Sequence, residues 1–280
     1  MSTPSAARRQ LSMQMRRLRI EAGKTLGQVA EEMEWSPTKI SNIETGRSKY
    51  PATSDIGLLL NNYGVTGAAP REAVLELART SRTKSKKKQA LEEYRDVLSG
   101  AYATYEADAA GVQVYEPQYI PGLLQTPRYV AATAQANLVR DASEIDKVVA
   151  ARLERQKLIT ADQPPDVWAV IDQHALELLL AHDSDIAAEQ ISHVIDIAEA
   201  ANSVTIQVLP TSAGLHSGMV GPFVILDYAD GDPLVFIEAD VDGIYLYQQP
   251  EIERYRKLFG RLTAKAMDPD DVPGYLRNLL

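Results

Sequence analysis

Four near neighbours, Thr38, Lys39, Ser41 and Asn42, are the side chains of this 280-residue chain best placed by type and spacing to recognise another molecule. Three are small hydrogen-bonding groups and one is a cation. A helix inserted into a DNA major groove would present such a set to base edges and phosphates. The residues around them decide where they point. Ile40 and Ile43 are spaced for the buried face of a short helix, so Thr38, Ser41 and Asn42 face outward, with Lys39 at the edge. Ser36 is a good N-cap and Pro37 suits the first helical position, so that helix starts here. Gly46 follows its last periodic residue, where a helix end favours a residue tolerant of left-handed backbone. Upstream, Leu26, Val29, Ala30 and Met33 are spaced for one face of a preceding helix, and Glu34-Trp35-Ser36 forms a three-residue turn with Trp35 as a packing residue. Residues 25–47 therefore read as a helix-turn-helix. The alternative reading of the same pattern is a helical hairpin with a solvated polar face, used for docking or dimerisation.

The flanking segments extend the helical pattern. Residues 8–23, RRQLSMQMRRLRIEAG, predict an amphipathic helix with Leu11, Met15 and Leu18 inward and Arg8, Arg9, Arg16 and Arg17 left for solvent or phosphate. Gly23 ends it, and residues 1–7 are expected to be disordered. Pro51 with Thr53-Ser54-Asp55 starts a helix through Tyr63, closed by Gly64, and another begins after Pro70. The basic run RTSRTKSKKK (79–88) is either a solvated linker or an arm that touches phosphates.

Charge is divided along the chain. The total is −9, but residues 1–88 hold 16 basic and 8 acidic residues, a net of +8, and the remainder holds 13 basic and 30 acidic, a net of −17. A basic module joined to an acidic one implies that only the first touches nucleic acid, the second being repelled by phosphate. There is no cysteine, which excludes disulfides and thiolate chemistry and suits a reducing cytoplasm. No run approaches the ~20 apolar residues of a membrane helix, and Arg8 and Arg9 are not followed by the apolar stretch of a secretory signal.

With these residues in view, positions 11–66 resemble the Cro/C1-type (XRE) helix-turn-helix family. ISNIETGRSKYP resembles its recognition-helix ending and DIGLLLNNYGV its closing helix. The resemblance implies an all-α, five-helix domain that binds double-stranded DNA as a homodimer, with residues 37–45 in the major groove. It makes Pro37, Thr38, Ser41 and Asn42 the base-facing candidates, with Ser36 capping their helix, and Gln28, Lys39 and Arg47 the phosphate contacts. Pro37 stands where the family often has Gln or Ser, which removes a backbone donor and leaves more of the readout to Thr38 and Asn42. An Arg19–Glu44 ion pair is expected as a structural feature.

From about residue 89 the texture changes. VQVYE (112–116), VWAVID (167–172), VTIQVLP (204–210), PFVILDY (222–228), LVFIEA (234–239) and GIYLYQ (243–248) are strand-like. The last three, joined by short connections, predict an antiparallel meander. Helical patterns cover 143–160, 174–181, 185–201, 250–266 and 269–279. The expected architecture is multidomain: the helical module over 8–78, a basic linker over 79–94, and an α+β domain with a mainly antiparallel sheet over 95–280.

PGLLQTPRY (121–129), ARLERQ (151–156), VLP with AGLHSGMVGPF (208–223) and FIEAD (236–240) resemble the DUF5753 domain found behind XRE modules in actinobacterial regulators of the Scr1-family, antitoxin-like group. That family usually carries an acidic residue after the Asp of the VWAVID strand, whereas this chain has Gln173 followed by His174. The domain's biochemical role is poorly defined.

No catalytic residue, metal site or cofactor is implied. His174, His182, His193 and His216 stand in no metal-ligand spacing, and there is no GxSxG elbow or phosphate-cradling glycine loop. Glu238, Asp240 and Asp242 are acids of the kind expected at strand ends in an acidic domain. The sequence is thus not that of an enzyme. PGLLQTPRY is either a turn that caps the helix at Thr126-Pro127 or the rim of a pocket, with Gln125, Arg128 and Tyr129 at its edge. In the second case Arg128, Tyr129, Arg152, Arg155 and His216 form an anion-binding pocket beside a mobile glycine-containing loop, 212–221. The expected function is a dimeric transcriptional regulator whose second domain receives a small-molecule effector or a small partner protein. The alternative is an antitoxin-like interaction protein that neutralises a partner and autoregulates its operon. Either the closing helices of the first domain or helix 185–201 could dimerise.

Overall fold

The computed structural model describes residues 4–46, 48, 51–82, 91, 93–94, 97–98, 102–137, 141–200, 202–229, 232–238 and 243–280, with side chains from Ala7 onward. Arg47, most of the basic run, Asp240 and Asp242 lie outside the described residues. The chain divides into two compact units, the first formed by Met1–Gln89 with Asp230–Asp232 and the second by Ala90–Ala229 with Pro233–Leu280.

The first unit is helical: α1 (Pro4–Glu21), α2 (Leu26–Met33), α3 (Pro37–Glu44), α4 (Thr53–Asn62) and α5 (Ala68–Ser81). Leu11 and Met15 of α1, Val29 of α2, Ile40 and Ile43 of α3 and Ile56, Leu59 and Leu60 of α4 close one core, all nearly inaccessible to water. Gly23, Gly46 and Gly64 adopt φ of 68°, 73° and 76°, the left-handed geometry that ends α1, α3 and α4 with little steric penalty. Two expectations fail at α1. The helix begins at Pro4, inside the segment read as disordered. Arg8 and Arg9 are also buried, at 6% and 0% exposure, because α1 packs along α5 and its first turns are covered. Arg8 Nη2 donates to the Ser81 carbonyl at 3.2 Å.

The second unit is an α/β domain. After α6 (Tyr102–Glu106) come β1 (Gly111–Glu116), a 3-10 turn (Gly122–Leu124), α7 (Pro127–Ala136), α8 (Ala142–Gln156), β2 (Asp166–Asp172), α9 (Gln173–His182), α10 (Ser184–Ala200) and β3 (Val204–Leu209). Two further 3-10 turns (Thr211–Ala213 and Ser217–Val220) precede β4 (Phe223–Asp227), β5 (Leu234–Ile237) and β6 (Ile244–Leu246). The unit ends with α11 (Gln249–Thr263), a last 3-10 turn (Pro269–Asp271) and α12 (Val272–Arg277). All six strand patterns form strands of one sheet in the order β3-β2-β1-β4-β5-β6. The sheet is mixed, not mainly antiparallel. β1 pairs with β2, and β2 with β3, in parallel, while β4, β5 and β6 add an antiparallel meander. The physical reason is connection length: α7 and α8 carry the chain from β1 to β2, and α9 and α10 from β2 to β3, the crossovers that parallel neighbours require.

Alternation along the strands gives the sheet two distinct faces. Tyr115, Val170, Phe223, Ile225 and Val235 pack against Ile252, Phe259 and Leu262 of α11. Val112 and Val114 of β1 and Val167 of β2 therefore point to the opposite face. The apolar side of α10 packs within this unit, with Ile191 and Val194 at 0% and 1% exposure.

Candidate functional site

α2 and α3 build the first site. Thr25 and Gln28 form a reciprocal capping box at the start of α2: Gln28 N–H donates to Thr25 Oγ1 at 3.2 Å, and Gln28 Oε1 accepts from Thr25 N–H at 2.9 Å. Glu34 closes α2 with φ of 56°, and Trp35 N–H donates to the Ala30 carbonyl at 2.9 Å. Ser36 then caps α3, its Oγ accepting from Lys39 N–H at 3.2 Å, with Pro37 in the first turn. Ile40 and Ile43 anchor the inner side. Ser36, Pro37 and Thr38 are exposed, and Ser41 and Asn42 are half-buried.

Arg19 fixes the back of α3. Its guanidinium grips Glu44 through three contacts of 2.8–3.1 Å, and Tyr63 Oη donates to the same carboxylate at 3.4 Å. The hydrogen bonds to Glu44 hold the Arg19 pKa above its ordinary value. Lys39 has a more local role than its reading as a phosphate contact implies. Its Nζ lies 3.0 Å from Asp55 Oδ2 and 3.5 Å from the Trp35 ring centroid, so α4 and the turn hold and partly neutralise it. Gln28, also read as a phosphate contact, is exposed, but its Oε1 is engaged in the capping box.

The second unit holds a cavity of about 90 Å³ on the sheet face opposite α11. Its wall includes Gly122, Leu123 and Leu124 of the 3-10 turn, Arg152 and Arg155 of α8, Glu116 at the end of β1, and Phe236 and Glu238 at β5. All four segments that carry the DUF5753 resemblance contribute to it, the third through Pro222 and Phe223. Arg155 is bound to Glu106 at 2.7 and 2.9 Å, and Tyr102 Oη donates to the same carboxylate at 2.8 Å. Burial opposes the Arg155 charge, but Glu106 outweighs it and raises the pKa. Arg152 differs: among the described residues it makes no hydrogen bond and no ion pair. Burial, with Arg155 beside it, lowers its pKa to about 10. Burial, with Glu238 beside it, pushes Glu116 up to about 8, against the opposing pull of Arg152.

The five residues read as one anion pocket are not brought together. Arg152 and Arg155 share the cavity. Tyr129 is buried and its Oη accepts from Ile120 N–H at 3.2 Å, bracing the turn. Arg128 is exposed and pairs with Glu189 at 3.1 Å. His216 sits 3.8 Å from Asp172 and edge-on to Tyr115, on the α11 face of the sheet. Tyr115 and Glu116 are adjacent in a strand, which is why their neighbours part company. Gln125 is buried, its Nε2 donating to the Ile120 carbonyl at 2.7 Å. The PGLLQTPRY segment is thus a capping turn, with Thr126 as the N-cap of α7, and its Gly-Leu-Leu part also lines the cavity.

The 212–221 loop is better anchored than its glycines suggest. Lys265 Nζ donates to the Ala213 and Leu215 carbonyls at 3.0 and 2.9 Å, and Gly218 lies so close to the Tyr115 ring that a Cβ would not fit. Gln173 accepts from Thr211 N–H at 3.0 Å through Oε1, a role a carboxylate would also fill. Glu106, Glu116, Gly122 and Glu238 have no shared spacing that could mark them as neighbours. The one legible signal was Arg152, Arg155 and Gln156, which share a helix face by their i, i+3 and i+4 spacing.

A helix-turn-helix unit followed by an α/β unit with a mixed sheet defines a class, and comparison with known families places the chain within it. Residues 99–277 match the family described as a domain of unknown function (DUF5753), and residues 10–83 match a family described as a helix-turn-helix domain. The chain belongs to the DUF5753 family and carries a DNA-binding helix-turn-helix domain in front of it. No curated protein and no solved structure matches it. Among the described residues, no helix is long and apolar enough to cross a membrane, and no group of three or more potential ligands could hold a metal ion.

Proposed function

We propose that this protein is a sequence-specific transcriptional regulator of the XRE type that acts in the cytoplasm, bound to double-stranded DNA as a homodimer. Residues 8–78 are its DNA-reading domain, 79–94 a basic linker and 95–280 a non-enzymatic regulatory domain. The observation that carries this reading is the presentation of α3: Thr38 exposed beside Ser41 and Asn42 on a helix braced from behind by the Arg19–Glu44 pair. Thr38, Ser41 and Asn42 read base edges, and Pro37 packs against them. Gln28, Ser36 and Arg47 serve the phosphates, with Lys39 contributing at a reduced charge. The second domain receives a signal, and a ligand acts by preferring one spacing of the two recognition helices over another.

Hydroxyl-radical footprinting of the full-length protein on the DNA upstream of its own gene tests this. Two protected patches about one helical turn apart support the dimer reading. One patch, or uniform weak protection, contradicts it.

A second reading is supported by one feature of the 212–221 loop, where Leu215, Met219 and Val220 are 84%, 67% and 55% exposed. Such a group suits a protein partner. An antitoxin-like role would be favoured if a small protein from the same operon co-purified with the wild-type chain but not with Leu215→Ser/Met219→Ser.

A further inference from the structure

The cavity of the second unit sets two arginines of one helix against each other. Arg155 is held by Glu106 through two hydrogen bonds, whereas Arg152, three residues earlier on α8, faces the same space without a hydrogen-bonded acceptor among the described residues. A guanidinium presents five donors in a planar fork that fits a carboxylate, and Arg152 is half-buried, so its fork is open to an incoming acceptor. The surroundings keep it accessible. Gly122 lies against it, and a Cβ there would collide with Arg152 Nη1, so the absence of a side chain is what lets the guanidinium lie on the turn. That turn is held by Gln156, whose Nε2 donates to the Gly122 and Gln125 carbonyls at 3.1 and 2.6 Å, and by Gln190, which bonds Leu124 O and Thr126 N–H at 2.7 Å each.

Two acids, Glu116 and Glu238, line the same cavity, and neither is hydrogen-bonded to a described residue. Among the described residues, one guanidinium without an ion pair and two carboxylic groups without a hydrogen bond thus line a common space, with an apolar wall that includes Val114, Leu124 and Phe236. We infer that this cavity binds a small carboxylate that also carries a hydrogen-bond donor, the simplest members being short aliphatic α-hydroxy and α-amino acids. The ligand carboxylate is forked by Arg152, the hydroxyl or ammonium donates toward Glu116 and Glu238, and the alkyl part packs on the apolar wall. A dianion such as phosphate is disfavoured by the acid Glu238 beside the guanidinium. This deepens the reading of the second domain as the receiver of a signal, and rests on it.

The test is calorimetric titration of the full-length protein with valine, 2-hydroxyisovalerate, isovalerate, isobutylamine and inorganic phosphate at matched ionic strength. Valine and the hydroxy acid are expected to bind, isovalerate several-fold more weakly, and the amine and phosphate not at all. Gly122→Ala, which displaces the guanidinium, and Arg152→Gln are each expected to weaken hydroxy-acid binding about tenfold or more, while exposed Arg261→Ala leaves it unchanged. Binding of the amine or phosphate as tight as that of the acids overturns the inference, as does acid binding that survives both cavity substitutions, or no acid binding at all. If Arg152→Gln does not fold, Gly122→Ala and the ligand series on the wild type decide. Titrating DNA from the upstream region into the same samples separates the two claims. Failure of acid binding with DNA binding intact removes this site alone. Acid binding that never alters DNA affinity keeps the site and removes its role as the signal.

Discussion

At the scale of residues, two arginines have their charge satisfied by a buried carboxylate, while Arg152 lines a cavity without an ion pair among the described residues. Arg19 and Arg155 are each gripped by a nearly inaccessible carboxylate, Glu44 and Glu106. Removing either arginine leaves a buried, uncompensated charge. Arg19→Met is expected to destabilise the first unit by about 3 kcal/mol. Denaturant unfolding would show this through Trp35 fluorescence in a Trp168→Phe background, since those are the only two tryptophans. Glu116 gives a pH signature. Burial raises its pKa from 4.5 to about 8, so the folded state keeps a proton that the unfolded state releases above the lower value. The second unit therefore loses stability from this group as pH rises from about 4.5 to about 8, and the loss is complete above that. The linkage is at most about 5 kcal/mol and is reduced by whatever water enters the cavity. Glu116→Gln should flatten this part of the stability-pH curve, and an unchanged curve would remove the assignment. The Arg19–Glu44 pair was legible because a resemblance tied two positions together. The burial of Arg8 and Arg9 was not, because helical periodicity gives one inward face and α5 covers a second.

At the scale of elements, the caps and turns were readable because each depends on a few adjacent residues. Ser36, Pro37, Gly46 and Thr126 act where their types put them. Ser36→Ala is expected to cost about 1 kcal/mol of first-unit stability through loss of the cap to Lys39 N–H, measured in the same unfolding experiment. Lys39 yields a prediction of opposite sign. Asp55→Asn releases its Nζ from the pair, so DNA binding should strengthen and its salt dependence steepen toward one additional ion. An unchanged slope would mean that Lys39 does not reach phosphate. The six strands were also legible, each a short β-branched or aromatic run. Their pairing was only half so: the short connections between β4, β5 and β6 specify antiparallel neighbours, whereas nothing local tells β1, β2 and β3 that two helical crossovers will bring them side by side. The anion pocket failed for the same reason. Arg128, Tyr129 and His216 were grouped by segment, but alternation in β1 and the brace at Ile120 send them to different places.

At the scale of the whole molecule, a basic unit of +8 and an acidic remainder of −17 divide the work, with phosphate attraction confined to one part of the chain. The account's central claim is that α3 reads base sequence. The most direct measurement is fluorescence anisotropy of the full-length protein on DNA from its own upstream region and on a scrambled duplex, across a salt series. A parallel sample carries Thr38→Ala with Asn42→Ala. The expected result is a clear preference of the parent for the upstream DNA. The double variant should lose it by about tenfold or more while staying folded and keeping its salt slope, because base contacts go and phosphate contacts remain. Equal binding of the two duplexes by the parent, or a double variant that discriminates as the parent does, would contradict the claim.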